Sequence, residues 1–296
     1  MSGRLTLAAL VLVAACGPAS RATAPAAPLD YGFTDARCAQ IRGWTGGDAM
    51  EPYLTHDGKY LLFNSSNAPT AQTDIQVATV VDELTFDWVG PLSGANSPQL
   101  DGVPTVTTDG AMYFVSTRSY GTTGATIYRA RFADGVADSV TLVDGFPVAP
   151  GLVHFDVEVS ADGNSLYYAS GVFDGGAVPK SADLAVAIRQ GTSFAPSSSA
   201  TAALASVNTA DALEYAAAIS QDGRELFFTR LAGTDAAIFH AKRADPAGTF
   251  GTPARIAAIT GFVEGPALSA DGQRLYYHQR VGDHYEVCRV KRAQTP

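Results

Sequence analysis

The sequence predicts an all-β fold: a five-bladed β-propeller of four-stranded blades, closed by an N-terminal strand that joins the last blade. Three observations predict it. The turn Ser/Thr-x-Asp-Gly (with Gln or Thr at the variable position in some copies) opens five similar segments: THDGKYLLFNS (55–65), TTDGAMYFVS (107–116), SADGNSLYYAS (160–170), SQDGRELFFTR (220–230) and SADGQRLYYHQ (269–279). The turn glycines Gly58, Gly110, Gly163, Gly223 and Gly272 recur about every 50 to 60 residues, which marks a repeat architecture. Two successive bulky columns follow every turn, Leu62, Tyr113, Tyr167, Phe227, Tyr276 and then Phe63, Phe114, Tyr168, Phe228, Tyr277. Neighbouring side chains of a strand point to opposite faces, so both faces are buried, as they are when blade packs on blade.

Residues 1–15 read as a signal peptide. Arg4 supplies the positive end, and Leu5 to Val13 form an apolar run too short to span a bilayer. The run ends Val13-Ala14-Ala15-Cys16-Gly17, which resembles the lipobox of bacterial lipoproteins, whose cysteine becomes the lipidated first residue. That resemblance implies export and lipid anchoring in the bacterial cell envelope, on the outer membrane with a periplasmic or surface face. The alternative is an ordinary signal with Cys16 incidental. Residues 16–35, rich in Pro, Ala and Ser, read as a flexible tether, and residues 36–293 as the propeller.

Within each unit an alternating segment leads into the turn, an aromatic strand follows, and a third strand ends in basic or polar residues, as in DIQVATV (74–80) and AIFHAKR (237–243). The fifth unit stops after its third strand. ARCAQIRGW (36–44) is similar to ARIAAITGF (254–262), a fourth-strand segment, so the N-terminal segment is expected to complete blade five. That pairing sets Cys38 beside Cys288, and an oxidising compartment favours a disulfide between them. The stretch 191–212 reads as a surface loop with one helical turn.

The repeats resemble the TolB-type, WD-like β-propeller family, whose units read roughly E-x-x-P-x-x-S-x-D-G before an aromatic strand. The resemblance covers about residues 36–292. All five turns match, and Pro appears as Pro52, Pro104 and Pro266, with Val157 and Ala217 in the other two units. It implies a propeller with envelope protein or peptide partners.

Chemistry is harder to find. The chain has 296 residues and a formal charge of −9, which argues against nucleic acid as a partner. There is no Gly-x-Ser-x-Gly elbow, no phosphate-binding glycine loop, no His-Glu-x-x-His and no CxxC pair. His278 with Asp283 and His284 offers metal ligands across one hairpin, without an evident further ligand. A better constellation lies in the first strand of each unit, which lines the channel of a propeller. Counting back from the turn Asp, positions −8, −6 and −4 share a face if the strand alternates regularly. They carry Glu51, Asp101, His154, Asp156, Glu158 and Glu214. Unit five offers Val263, Gly265 and Ala267 there, with Glu264 one step off. Acids from four blades are thus expected to converge near one end of the channel.

The reading that follows is a monomeric, lipid-anchored, non-enzymatic propeller acting as a protein-binding or scaffolding module. No cofactor is expected. Two alternatives use the same acids: a glycoside hydrolase with Asp101, Asp156, Glu158 and Glu214 as candidates, or a propeller that binds calcium.

Overall fold

The computed structural model describes residues 27–67 and 72–294. The signal peptide, Cys16 and most of the tether lie outside the described residues. Among the described residues, no helix is long and apolar enough to cross a membrane.

Five sheets form five blades, antiparallel except where the N-terminal segment adds a parallel strand to two of them. Their first strands are Met50–Leu54, Asp101–Val106, Leu152–Val159, Leu213–Ile219 and Val263–Leu268. Each touches the first strand of the next blade, and the fifth touches the first, which closes the ring around a central channel. The second strands, Tyr60–Asn64, Ala111–Ser116, Ser165–Val172, Glu225–Ala232 and Arg274–Val281, carry the aromatic columns. Phe63, Phe114, Phe227 and Phe228 are fully buried, as packing on both faces requires.

The turn sequence has a local reason. The hydroxyl of Thr55, Ser160, Ser220 or Ser269 donates to the carboxylate two residues on, at 2.6–2.7 Å. The same oxygen accepts the N–H that opens the second strand, at 2.9–3.1 Å. Gly follows in the left-handed region, for example Gly58 at φ 70°. The loop after blade three contains one short helix, Ser198–Ala202, capped by the Ser197 side chain.

The N-terminal segment completes blade five. Phe33–Cys38 pairs with His284–Arg292, the third strand of that blade, and Cys38 lies directly opposite Cys288, to which it is disulfide-bonded. The segment also does more than the sequence suggested. Leu29–Asp30 pairs in parallel with Ala254–Ile256 on blade four, and Gln40–Arg42 in parallel with Thr85–Pro91 on blade one. Only residues 36–38 of the expected 36–44 strand lie on blade five. The tether expected to reach residue 35 gives way to strand at Leu29. One strap thus covers three consecutive blades. It is held by Asp30, whose carboxylate meets His240 Nδ1 at 2.5 Å, and by the fully buried Arg289, which donates to the Asp35 carbonyl at 2.9 Å and to Glu83 at 2.9 Å. The hydrogen bond to His240 draws the Asp30 pKa down to about 2.

Candidate functional site

Every first strand breaks its ladder at the same place. In blade three the pairing passes from Phe155↔Ala169 to Glu158↔Tyr167, so one residue is extra, and the other four blades show the same shift. The residue at −6 is left-handed in every blade: Glu51 (φ 48°), Val103 (53°), Asp156 (49°), Ala216 (49°) and Gly265 (63°). Such backbone costs on the order of 1 kcal/mol or more for a non-glycine residue. Its fivefold repetition ties it to the architecture rather than to one active centre.

The bulge reverses the alternation on which the sequence reading relied. Position −8 turns away from the channel. Asp101 is fully buried against Arg118 at 2.6 Å and accepts from Ser97 Oγ at 2.6 Å. Glu214 is fully buried against Arg230 at 2.7 Å and accepts from Thr209 Oγ1 at 2.8 Å. Each is a pair within its own blade. Burial raises the Glu214 pKa, with Thr209 and Arg230 opposing. His154 packs between Phe146 and Tyr168, and its Nε2 lies 3.0 Å from the Pro147 carbonyl. None of these three lines the channel cavity.

Glu51, Asp156 and Glu158 do line it. They are joined by groups that regular alternation had set aside. Glu264 and Tyr215, both at −7, meet when the Tyr215 hydroxyl donates to Glu264 Oε1. The second Glu264 oxygen lies 3.3 Å from His278 Nε2, and His278 Nδ1 accepts the Glu51 N–H at 3.1 Å. Glu51 Oε1 accepts from Asn67 at 3.0 Å. His278 is therefore not assembled with Asp283 and His284. His284 instead faces Glu286 at 3.0 Å. Among the described residues, no group of three His, Cys, Asp or Glu side chains is arranged to hold a metal ion. The signal for the missed residues was present: a proline inside a strand has no ladder N–H to give, so Pro52, Pro104 and Pro266 mark the bulge.

Burial governs the electrostatics. It pushes Asp156 well above the usual carboxyl range, helped by the charges of Glu51 and Glu264. It raises Glu51 and takes Glu158 up to about 8. For His278, burial opposes the cation, but Glu51 and Glu264 outweigh it and raise the pKa. The Glu51 N–H aimed at Nδ1 works against that pull, since a protonated Nδ1 cannot accept it.

These contacts follow a rule. A polar side chain on the second strand of one blade takes the N–H of the left-handed residue in the next. Asn64 takes Val103 at 2.9 Å, Thr229 takes Gly265 at 3.1 Å, and His278 takes Glu51. The corresponding residues of blades two and three are Val115 and Ala169, which cannot do this. At the seam between blades three and four, two acids of blade three stand in that place. The Ala216 N–H lowers the Asp156 pKa and the Ile219 N–H that of Glu158, each against burial, and Glu158 accepts the Thr105 hydroxyl at 2.7 Å. The cavity among these groups holds about 20 Å³, room for a single water. The Glu264–His278 pair has the composition of a base and its orienting acid, but the ring nitrogen that would take a proton is occupied by main chain.

No family model matches the sequence, and no curated protein matches it significantly. Solved structures do. A thermostable family-43 glycoside hydrolase is similar with a TM-score of 0.56 at 14% identity, covering 88% of this chain and 93% of that one. A family 117 glycoside hydrolase from Zobellia galactanivorans gives 0.53 at 11%, covering 88% and 91%. TolB from Acinetobacter baumannii gives 0.47 at 17%, covering 84% of this chain and 55% of its own, so the chain spans about half the length of that protein. At such identities the likeness concerns the fold.

Proposed function

We propose that this chain is an exported monomer, anchored in the bacterial envelope by lipid on Cys16, whose propeller serves as a protein-binding or scaffolding module rather than an enzyme. The observation that carries the reading is the state of the channel acids. They are engaged between blades, around a space for one water. Glycoside hydrolysis needs two carboxyl groups flanking a bound sugar. The sequence motif at Cys16 supports the anchor.

The test uses the full-length chain expressed in a bacterium. Mass spectrometry of the N-terminal peptide is expected to show a diacylated Cys16, and Cys16→Ser to release the protein from membranes. Cross-linking of intact cells is expected to yield a discrete protein adduct that survives in neither a denatured control nor an unrelated lipoprotein. Turnover of aryl glycosides that Glu51→Gln or Asp156→Asn abolishes would overturn the reading. A rise in melting temperature of several degrees with millimolar calcium would instead favour the calcium alternative.

A further inference from the structure

We propose that the face carrying the Asp-Gly turns holds a docking groove for an extended peptide bearing lysine or arginine, running over the blade-one turn from blade five to blade two. The proposal rests on the reading of the propeller as a protein-binding module and gives that module a surface and a partner chemistry.

Two cavities, of about 330 and 250 Å³, flank the turn at Thr55, His56 and Asp57 and share those three residues. Leu54, Val80 and Tyr276 floor the first, and Tyr60, Val106 and Phe132 the second. Each has room for one or two side chains and stands open to solvent. That form suits successive side chains of an extended segment, which project to one face about every 7 Å, better than an enclosed small molecule.

The rim sets the charge. Asp82 borders the first cavity, and Asp109 and Asp134 border the second. All three are exposed, and none has an ion pair among the described residues. Some acids of the groove are paired: Asp57 at the blade-one turn faces Lys59 at 3.3 Å, and Arg274 on the blade-five wall of the first cavity pairs with Asp271 and lies 3.9 Å from Glu83. Six acids (Asp57, Asp82, Glu83, Asp109, Asp134 and Asp271) line the two cavities against the single cation Arg274, so the groove keeps a net negative charge. His56 does not offset it. Burial pushes its pKa down, its Nδ1 lies 3.4 Å from Gln221 Nε2 of blade four, and its buried Nε2 has no hydrogen-bond partner among the described residues. An acidic rim over an apolar floor selects a segment in which cationic and small apolar residues alternate.

The experiment uses the full chain in detergent and a fluorescent octapeptide of alternating lysine and valine, with the glutamate–valine octapeptide as control. Anisotropy is expected to show saturable binding of the cationic probe. Raising salt from ~50 to ~300 mM is expected to weaken it at least about tenfold, because rim charges are screened. The triple variant Asp82→Asn, Asp109→Asn, Asp134→Asn is expected to lose at least about tenfold in affinity with a nearly unchanged melting curve, since the side chains are exposed and Asn keeps an oxygen to accept from Thr107 and from the Leu84 N–H. Equal binding of the two peptides, or equal affinity of wild type and variant, would overturn the groove. Retention of the envelope adduct by the triple variant would also remove this surface as the docking face, while leaving the binding module intact.

Discussion

Between blades five and one, the left-handed Glu51 gives its N–H to His278. Between blades three and four, the N–H of the left-handed Ala216 acts on the Asp156 carboxyl, and the residue that would otherwise take it is Ala169. The two seams meet the same demand, a buried main-chain donor created by the bulge, with different groups. The first uses a side chain on the neighbouring strand and is reinforced outside by the strap and the disulfide. The second uses a carboxyl that must be buried to reach, and its acidity shifts in consequence. An acid in a propeller channel can therefore be there for architecture, and its departure from the repeat can mean that another column has lost its polar residue.

The largest effect expected is on the closing seam. The disulfide joins residues 250 apart in sequence, and chain-entropy arithmetic gives such a cross-link a ceiling of about 5 kcal/mol. Cys38→Ser with Cys288→Ser is expected to cost about 3–5 kcal/mol in urea unfolding, read against the oxidised wild type. A cost below about 1 kcal/mol would mean that strand pairing alone closes the ring.

Glycine at the bulge separates local strain from crowding. A Cβ on Gly265 would lie 2.5 Å from Glu51 Oε2 and 2.9 Å from His278 Nδ1, whereas one on Gly58 would meet nothing within 4 Å. Both residues are left-handed, at φ 63° and 70°. Gly58→Ala should cost about 1 kcal/mol through backbone alone, and Gly265→Ala about 2–3 kcal/mol because it also displaces the cluster. Equal costs, measured by thermal melts, would show that the closing seam yields freely.

How much of this was legible follows from what the bulge does to a pattern. The turns, the aromatic columns, the blade number and the disulfide were readable because each depends on local chemistry or regular alternation. Asp101, His154 and Glu214 were set on the channel face, and Glu264 one step off it, because one extra residue inverts the faces of the strand on its far side; His278 was grouped with its hairpin neighbours Asp283 and His284 instead. Asn64, Thr229 and His278 share a column whose role appears only when blades are set side by side. The strap's reach to blades four and one rests on pairings of two and three residues, too short to leave a pattern.

Glu158 makes the second seam sensitive to pH. Its pKa rises from an ordinary 4.5 to about 8 on folding. Between those values the unfolded chain has released a proton that the folded chain still holds, so stability declines as pH rises. The slope from this group is at most about 1.4 kcal/mol per pH unit and is confined to the interval between them; the stability it contributes is fully present below pH 4.5 and lost by about pH 8. Asp156 and Glu51 shift in the same direction. Urea unfolding at pH 5 and pH 8 should show the decline, and Glu158→Gln, which keeps an acceptor for Thr105, should flatten it. A wild type equally stable at both values would mean that the seam admits enough water to ionise its acids.

The smallest effect is the most direct test of equivalence between the seams. Asp156→Ala removes the carboxyl on which the Ala216 N–H acts and should cost about 1–2 kcal/mol if that N–H is left without an acceptor. Ala169→Ser alone should change little, since that N–H is already engaged and one added oxygen strains the packing only slightly. In the Asp156→Ala background, however, Ser at 169 stands where Thr229 stands one blade on, and should restore about 1 kcal/mol as a positive coupling in the double-mutant cycle. Strict additivity would show that the acid holds its seam by something other than the main-chain bond.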